Sequence, residues 1–235
     1  KLNFLLFWEF QMIEDPPLLT IHRKFIRPTP EQIVKFENIQ TGFITDAMNG
    51  RGALNGKIKP LINTQANFTG TAITCHAGPG DNLAVFGAME LTSPGDIIIA
   101  STDQFHHTAI IGDLVLGMMK NKKIAGFVTD GFVRDIIGIK DIGLPCFAMG
   151  VTPNSPVRNG PGTAGQPICL GDTAVSSGDI IVGDLDGVVI VPFHMIDTTI
   201  NNLSQIIALE ADLNARVQLG LERPEFIQDL LHSGQ

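Results

Sequence analysis

The segment from Gly126 to Asp135, which reads GFVTDGFVRD, restricts the chain to folds that combine strands with helices. Its apolar residues run into an Asp-Gly turn, a pattern that indicates a buried strand leading into a loop. The residues from Ile136 to Ile142 then predict a short helix. Arg134 and Asp135 therefore lie where a strand meets the N-terminus of a helix, a usual position for functional residues in an α/β sheet.

Arg134 and Asp135 allow two interpretations when they are considered alone. Asp135 can supply a hard oxygen ligand to a divalent cation, and Arg134 can present its planar guanidinium to a carboxylate or an enolate. The simpler interpretation is an exposed ion pair in which Asp135 caps the following helix. The dipeptide alone favours this simpler interpretation.

The composition argues against several classes of function. The 235 residues suffice for one large domain or two small ones, and 44% of them are hydrophobic. A net charge of −8 argues against sequence-independent binding to nucleic acid or to an anionic membrane. The three cysteines, Cys75, Cys146 and Cys169, form no CxxC pair and are interpreted as buried free thiols in a reducing compartment, so we expect a cytoplasmic protein.

The beginning of the chain contains the apolar run Leu2–Phe10, which is too short to span a bilayer. The run lacks a small-residue cleavage site and leads into Glu14-Asp15-Pro16-Pro17, so it is a poor secretory signal. We predict an N-terminal arm over residues 1–28 that packs on the body or on a neighbouring subunit. A single α/β domain over residues 29–235 includes the C-terminal helix.

The remaining sequence alternates predicted helices and strands without a clean linker between two domains. A helix is expected to begin at Thr29, and a second to open near Asp46 within TGFITDAM. The sequence IIVGDLDGVVIV predicts a β-hairpin, whereas Gly150–Gly171 should be irregular or consist of short extended pieces. The other expected elements are strands over Phe68–Cys75 and Ile97–Ala100 and helices over Leu83–Leu91 and, approximately, Ile196–Leu219.

Glu210 interrupts the apolar stripe of the predicted C-terminal helix, three residues after Ile207 and seven after Leu203. A carboxylate is costly to bury unless it is paired or used. The alternatives are a glutamate with its own basic partner or one exposed at the edge of the stripe. The position of Glu210 does not decide its role.

Gly112 is predicted to cap a helix that runs to about Lys120. The amides of Asp113, Leu114 and Val115 would then be unpaired donors of the first turn. Together with the positive end of the helix dipole, they would suit a small carboxylate. Taken alone, Gly-Asp-Leu is more simply a helix start with an acidic first turn.

Asp113, twenty intervening residues and then Arg134-Asp135 form a specific pattern. Other segments accompany it in order: TDAM at Thr45–Met48, GTAIT at Gly70–Thr74, Asp81-Asn82, GDLV at Gly112–Val115, VTDGFVRD at Val128–Asp135, PCFAMG at Pro145–Gly150 and GDIIVGDLDGVVIVP at Gly178–Pro192. From about Thr41 to Glu210 the chain resembles the family of the regulator of ribonuclease activity A (RraA) and its enzymatic relatives. These relatives are class II pyruvate aldolases that cleave 4-hydroxy-4-methyl-2-oxoglutarate or 4-carboxy-4-hydroxy-2-oxoadipate.

The resemblance implies a single-domain, layered β/β/α fold of the swivelling-domain type and a role for each site residue. Asp135 would bind Mg²⁺ or Mn²⁺, with water in most of the remaining positions. Arg134 would contact the keto oxygen of a pyruvate-like substrate. The amides of Leu114 and Val115, after Gly112, would hold the substrate carboxylate.

Two further residues receive roles from the resemblance. Asp113 would help to place metal-bound water. Glu210 would match a glutamate that reaches the site of a neighbouring subunit, in a homo-oligomer that is a trimer or a hexamer. Val115 departs from the pattern, since both residues after Asp113 are usually leucine-like.

The function implied by the resemblance is a divalent-metal-dependent aldolase that cleaves a 4-hydroxy-2-keto diacid to pyruvate. Oxaloacetate decarboxylation uses the same enolate chemistry. It is an alternative to be tested, either as a side activity or as the main one. The alternative is a non-catalytic regulator that binds a ribonuclease, as RraA does. No lysine lies alone in an apolar strand, so a Schiff-base aldolase is not favoured. The histidines His76, His106 and His107 form no metal-binding pattern and are expected to be structural or loop residues.

Overall fold

The computed structural model describes residues 15–233 of the chain. The helices are α1 (Pro30–Val34), α2 (Thr41–Ala47), α3 (Leu83–Met89), α4 (Asp113–Asn121), α5 (Ile136–Ile142), α6 (Ile196–Gln218) and α7 (Glu225–Ser233). The strands are β1 (Leu19–Ile21), β2 (Lys59–Pro60), β3 (Phe68–His76), β4 (Ile97–Ser101), β5 (Gly126–Thr129), β6 (Phe132–Val133), β7 (Cys146–Ala148), β8 (Gly150–Val151), β9 (Gly162–Ala164), β10 (Ile168–Leu170), β11 (Thr173–Val175), β12 (Ile180–Gly183) and β13 (Val188–Val191).

The largest sheet has nine strands and is centred on β3. The first half of β3 pairs antiparallel with β12, and its second half pairs parallel with β4. The strands β4, β5 and β7 continue the sheet in parallel. Parallel neighbours require crossover connections, which α3, α4 and α5 supply. The crossovers bring α4 and α5 to the edge where the parallel strands end.

The buried apolar residues form three clusters, each of which lies between two layers of the fold. One lies between the sheet and the helices α3, α4 and α5, and includes Phe127, Leu116 and Ile139. The second packs the opposite side of the sheet against the hairpin of β12 and β13. The third lies between the outer side of that hairpin and the helices α2 and α6. Ile181 belongs to the second cluster and its neighbour Ile180 to the third, because successive side chains of a strand point to opposite faces.

Most of the predicted elements are confirmed. The capping box at Thr29 begins α1, and Gly112 is the N-cap of α4, as the sequence predicts. The helix α5 ends at Gly143, whose backbone is left-handed with φ of 75°. The hairpin has the predicted strands and pairs Ile181 with Ile190. The segment Gly150–Gly171, predicted to be irregular or to consist of short extended pieces, contains three short strands, β8, β9 and β10.

Two predictions about local structure are wrong. The helix α2 begins at Thr41 rather than near Asp46, because Asp184 accepts hydrogen bonds from the amide and the hydroxyl group of Thr41 at 2.8 and 2.9 Å. Cys169 is exposed on β10, whereas Cys75 and Cys146 are buried as expected. Burial raises the pKa of the Cys146 thiol to about 12 and raises that of Cys75 further, so neither is a reactive thiolate.

The described part of the predicted N-terminal arm packs on the domain. Strand β1 adds to the sheet edge by parallel pairing with β9. Arg27 forms an ion pair with the buried Asp96, at 2.8 Å between Nη1 and Oδ1. The apolar run Leu2–Phe10 lies outside the described residues, so the prediction for it, and for a boundary at residue 28, stays a prediction. Within residues 15–233, no helix combines the length and the apolar character needed to cross a bilayer.

Candidate functional site

A small cleft of about 70 Å³ lies at the N-terminus of α4. It is formed by the start of α4, the residues around the N-terminus of α5, and two loops that precede α3 and β9. The cleft contains every residue that the sequence assigned to a site except Glu210. Its lining residues are Asn82, Ile111, Gly112, Asp113, Leu114, Val115, Arg134, Asp135, Pro156 and Arg158.

A short backbone ladder brings Arg134 next to the start of α4. Ala109 bridges Phe132, and the Ile110 amide donates to the Phe132 carbonyl oxygen at 2.7 Å. The Arg134 amide then donates to the Ile111 carbonyl oxygen at 3.0 Å. These contacts join two segments that are separated by about twenty residues in sequence. The spacing between Asp113 and Arg134 is therefore a consequence of the crossover through α4 and β5.

Gly112 lets the Asp135 carboxylate approach the N-terminus of α4. A Cβ atom at Gly112 would lie 2.3 Å from Asp135 Oδ2 and 3.1 Å from Arg134 Cγ. No real Cβ contact is that short, so only glycine fits between these side chains. The Asp135 carboxylate consequently lies against the positive end of the α4 dipole.

Asp135 is the N-cap of α5 by position, but its side chain makes no capping hydrogen bond. Its backbone is left-handed, with φ of 63° and ψ of 46°. Its Oδ2 atom lies 3.1 Å from Arg134 Nε. The interpretation of Asp135 as a helix cap is therefore wrong, since the carboxylate is turned into the cleft.

Arg134 is held on two sides. Besides Asp135, its Nη1 atom donates a hydrogen bond to the Ser155 hydroxyl oxygen. The Arg134 and Asp135 side chains are 35% and 42% exposed, and an ion pair in contact with solvent adds little to stability. The contacts orient the guanidinium beside the cleft more than they stabilise the fold.

Asp113 lies between α4 and α5. Its Oδ1 atom accepts a hydrogen bond from the Leu114 amide at 2.7 Å. A Cβ atom at Gly138 would lie 2.2 Å from Asp113 Oδ2, so a glycine is needed there for the two helices to begin this close together. One of the two amides predicted to hold a carboxylate, that of Leu114, thus already has an acceptor.

Asn82 is a site residue for which the sequence indicated no role. It is 1% exposed, and its Nδ2 atom donates to the Ile110 carbonyl oxygen at 3.0 Å. This contact fixes the orientation of the amide, and the buried Oδ1 atom has no hydrogen-bond partner among the described residues. An unpaired buried acceptor costs about 1–3 kcal/mol. The one sequence signal is the Asp81-Asn82 pair in the resemblance.

The histidines lie outside the cleft. His76 Nε2 is 2.9 Å from Asp103 Oδ1, and His106 stacks on Phe132 at 4.8 Å between ring centroids. His107 packs edge-on against Phe105. These contacts agree with the structural roles expected from the sequence.

Residues 41–190 match the family model of the RraA-like proteins, which is described as Aldolase/RraA. The chain belongs to the RraA-like family. A relative from Halalkalibacterium halodurans, named as a candidate 4-hydroxy-4-methyl-2-oxoglutarate aldolase, is 43% identical over 160 residues, or 68% of this chain and 76% of the relative. An uncharacterized protein from Methanocaldococcus jannaschii is 31% identical over 195 residues, or 78% of this chain and 89% of that protein.

The solved structure of RraAS2 from Streptomyces coelicolor, described as an unusual member of the RNase ES inhibitor RraA protein family, has the same fold. Its TM-score is 0.73 at 24% sequence identity, and the match covers 81% of this chain and 100% of that chain. The similarity confirms the predicted α/β fold of the RraA-like type. At this identity it carries no conclusion about activity.

Glu210 is the predicted site residue that this RraA-like chain does not bring to the cleft. It is partly exposed on α6, which packs on α2 at the opposite side of the sheet from α4. The predicted apolar stripe is buried at Leu203, but Leu213 and Val217 are 40% and 50% exposed. A role for Glu210 in a neighbouring subunit's site stays a prediction.

The acidic side chains of the RraA-like cleft are the groups that would hold a hydrated Mg²⁺ or Mn²⁺ ion. Within residues 15–233, no three His, Cys, Asp or Glu side chains converge as a metal site. Asp135, the ligand implied by the resemblance, would supply one carboxylate, with water and substrate oxygens in the other positions, as Mg²⁺ commonly prefers. Asp113 would accept hydrogen bonds from that water. The residues present fit such an ion.

Proposed function

We propose that this RraA-like chain is a divalent-metal-dependent aldolase that releases pyruvate from a 4-hydroxy-2-keto diacid. The observation that carries the proposal is the convergence of Asp135, Arg134 and the first turn of α4 on one cleft. A cation ligand, a guanidinium and carboxylate-binding amides are the groups that a 2-keto acid and its enolate require. The 43% identical relative, named as a candidate aldolase, supports this class of reaction.

The proposed reaction breaks the bond between C3 and C4 of the substrate. A base takes the proton of the 4-hydroxyl group, C4 becomes a carbonyl carbon, and the electron pair of the broken bond forms the enolate of pyruvate. A proton then returns to C3 and gives pyruvate. With 4-hydroxy-4-methyl-2-oxoglutarate both products are pyruvate.

Arg134 has the position and the charge to stabilise the enolate. Its guanidinium is oriented by Ser155 and Asp135 before the substrate binds, so little reorganisation is needed when charge develops on the keto oxygen. The first turn of α4 would bind the C1 carboxylate through the amides of Leu114 and Val115. Because the Leu114 amide already donates to Asp113, the substrate carboxylate has to share or replace that contact.

The metal would be held by Asp135. When bound, Mg²⁺ or Mn²⁺ supplies Lewis acidity at the keto oxygen. Asp113 would orient water in the cleft by accepting hydrogen bonds, and such water is the candidate carrier of the proton from the 4-hydroxyl group. Asp113 then acts on the reaction through water.

Pyruvate release from three substrates tests the proposal. The panel contains 4-hydroxy-4-methyl-2-oxoglutarate, 4-carboxy-4-hydroxy-2-oxoadipate and oxaloacetate, each with Mg²⁺ and with EDTA. We expect Mg²⁺-dependent turnover of at least one hydroxy-keto diacid. If only oxaloacetate is turned over, the proposed function becomes that of a decarboxylase, since loss of CO₂ from C4 leaves the same enolate. Turnover that survives EDTA would contradict the metal-dependent mechanism.

The second candidate is a non-catalytic regulator of a ribonuclease. It is favoured by large apolar side chains on α6 and α7 that are exposed in the single chain, among them Leu209 at 67%, Phe226 at 59% and Leu230 at 62%. Such a patch is typical of a protein interface. Inhibition of ribonuclease E by the purified protein, with no pyruvate released from any of the three substrates, would favour this candidate over the aldolase.

A further inference from the structure

Asp130 is a buried carboxylate to which the proposed reaction gives no role. It begins the Asp-Gly turn between β5 and β6, five residues before Asp135. It is 1% exposed, and within residues 15–233 no basic side chain forms an ion pair with it. Because a buried carboxylate is costly without partners, hydrogen-bond donors have to take the place of a cation.

The donors to Asp130 come mainly from the loop that follows β4. Its Oδ1 atom accepts hydrogen bonds from the amide and the hydroxyl group of Thr102, at 2.7 and 3.1 Å. Its Oδ2 atom accepts from the Gln104 amide and the Ser101 hydroxyl group, each at 3.3 Å, and from the more distant Gly171 amide at 3.5 Å. Both oxygens therefore hold the beginning of the loop that leads to α4.

The backbone of this loop is strained where Asp130 holds it. Asp103 and Gln104 are consecutive left-handed residues, with φ angles of 57° and 56°. This conformation is unfavourable for a residue with a side chain and persists only where the surrounding contacts impose it. Asp130 supplies such contacts on both sides of Asp103, through the amides of Thr102 and Gln104.

The loop and the segment that follows Asp130 meet again at the cleft. The Ile110 amide, near the end of the loop, donates to the Phe132 carbonyl oxygen at 2.7 Å. The Arg134 amide donates to the Ile111 carbonyl oxygen at 3.0 Å. The Asp130 carboxylate thus joins the two segments at one end, and these backbone bonds join them at the other. A displacement of the loop at Asp130 would be transmitted to the N-terminus of α4.

We propose that Asp130 is a positioning residue that sets the distance between the first turn of α4 and the Arg134–Asp135 pair. Asp130 does not line the cleft, so it acts through the loop and not by contact with a ligand. The inference rests on the proposed function in that a 2-keto acid or its enolate contacts both sides of the cleft. A ligand that contacts both sides depends on Asp130, whereas a ligand held by Asp135 alone does not.

Two ligands that undergo no reaction separate these cases. Mn²⁺ alone requires Asp135, whereas oxalate, a planar dianion shaped like the pyruvate enolate, would require the metal, Arg134 and the first turn of α4 together. The affinity for Mn²⁺ is measured by electron paramagnetic resonance, and that for oxalate by calorimetry on the Mn²⁺-loaded protein.

Asp130→Asn directs an NH₂ group at the donors of the loop, so the loop is expected to move. The dissociation constant of oxalate should rise about 10- to 100-fold, as for a misplacement of about 1 Å. The dissociation constant of Mn²⁺ should stay within about threefold of the wild-type value, because the carboxylate of Asp135 is retained.

Asp179→Asn is the matched control. Asp179 is also buried, its two oxygens accept hydrogen bonds from the amides of Ser176 and Phe193, and it does not line the cleft. The same chemical change there should leave the affinities for Mn²⁺ and for oxalate as in the wild type. A general loss of folded protein would lower the bound fraction of both ligands together, so it would not imitate a selective loss of oxalate.

Thr102→Val keeps the Asp130 carboxylate and removes one of its donors. The affinity for oxalate should fall about 2- to 10-fold, as for the loss of one hydrogen bond, with Mn²⁺ binding unchanged. This variant decides the question if Asp130→Asn does not fold.

The outcomes separate the role of Asp130 from the proposed reaction. Unchanged oxalate affinity in folded Asp130→Asn, or in Thr102→Val if the first variant does not fold, overturns the positioning role even if pyruvate is released. Equal losses of Mn²⁺ and oxalate affinity overturn it as well. A selective loss of oxalate supports it even if no tested substrate is cleaved. A wild-type protein that binds no oxalate in the presence of Mn²⁺ overturns the positioning role and the proposed function together.

Discussion

Asp135 adopts a left-handed backbone without the glycine that usually occupies such a position. The conformation costs on the order of 1 kcal/mol for a residue with a side chain. It brings no capping hydrogen bond to α5, and it turns the carboxylate towards Gly112 and the start of α4. The geometry of the cleft, rather than the stability of the helix, accounts for this residue.

Asp135→Asn is expected to lower kcat/KM on the order of 10²-fold or more, because a neutral amide holds a divalent ion weakly. The Mg²⁺ concentration needed for half-maximal activity should rise in parallel. Asp141→Asn, an exposed position on the same helix, is the matched control and should behave as the wild type. An Asp135→Asn protein with unchanged activity would exclude Asp135 as the metal ligand.

Arg134→Lys is expected to be as damaging as a loss of the residue. A compact ammonium group cannot both contact Ser155 and present a planar fork to the keto oxygen. Loss of one preorganised donor to a developing oxyanion lowers turnover by about 10²- to 10³-fold, or roughly 3–4 kcal/mol. The measurement is kcat at saturating substrate and Mg²⁺. A decrease of less than tenfold would mean that Arg134 does not contact the enolate oxygen.

Gly112→Ala tests the close approach of Asp135 to α4. The φ angle of Gly112 is −129°, which alanine adopts freely, so the backbone should fold normally. The new methyl group would overlap Asp135 Oδ2 and displace the carboxylate by about 1 Å, which can lower kcat/KM up to about 10²-fold. Gly42→Ala, where a Cβ meets nothing within 4 Å, is the control. Equal activity and equal Mg²⁺ affinity in both variants would contradict the proposed geometry.

At the scale of elements, the sequence was sufficient to predict the end of a helix wherever the residues at that end determine it. Gly112 and Gly143 limit α4 and α5 because a cap is decided by one or two residues. The strand β6 was not predicted, and β8 was predicted only as part of a segment that is irregular or made of short extended pieces, since each strand has two residues and exists only through pairing with the other. Asn82 and Arg158 were missed for the same reason, as hydrogen bonds between distant loops bring them to the cleft.

Asp179 joins two elements and provides a test of stability against pH. Its Oδ2 atom accepts from the Ser176 amide at 2.8 Å, before β12, and its Oδ1 from the Phe193 amide at 2.9 Å, after β13. Burial raises the pKa of the Asp179 carboxyl above its ordinary value of 3.8, against the lowering effect of these hydrogen bonds and of His194. The folded protein therefore binds this proton more tightly than the unfolded chain does.

The contribution of Asp179 to the free energy of unfolding is fully present below about pH 3.8 and is lost as the pH rises through the folded-state pKa. Asparagine does not titrate, so the Asp179→Asn variant lacks this dependence. We expect the stability of the wild type, relative to the variant, to fall as the pH rises above about 3.8 and then to become constant. Urea unfolding of both proteins across this range measures it. A relative stability that rises with pH would contradict the direction of the pKa shift.

At the scale of the whole molecule, two apolar surfaces are exposed in the single chain. One surrounds the cleft and includes Leu114 at 75%, Ile137 at 77% and Val151 at 51% exposure. The other lies along α6, where Leu209 and Val217 are exposed on either side of Glu210 in the sequence. Large apolar side chains are rarely exposed to water as a group. Contact between the cleft surface of one subunit and the α6 surface of another would explain why both are apolar.

The predicted trimer or hexamer would bring Glu210 to the cleft of the neighbouring subunit. The sequence suggested this only through the resemblance. The position of Glu210 on its helix fits three alternatives: a carboxylate paired with a basic residue, one exposed at the edge of the stripe, or one used by a neighbouring subunit. Within one chain, Glu210 does not line the cleft. A contact between different surfaces closes into a ring when the rotation between subunits allows it. We therefore expect the active protein to elute as a trimer or a hexamer in size-exclusion chromatography with light scattering.

Mixing two inactive variants tests whether Glu210 acts across the interface. Asp135→Asn lacks the metal ligand, and Glu210→Ala retains it but lacks the shared carboxylate. If each site takes Asp135 from one subunit and Glu210 from the next, random exchange at equal amounts should leave about one quarter of the sites complete. Activity should rise towards that fraction as the subunits exchange, and no recovery should occur when the oligomers are cross-linked before mixing. Exchange that is confirmed by mass spectrometry without any recovery of activity would mean that Glu210 has no role in a neighbour's site.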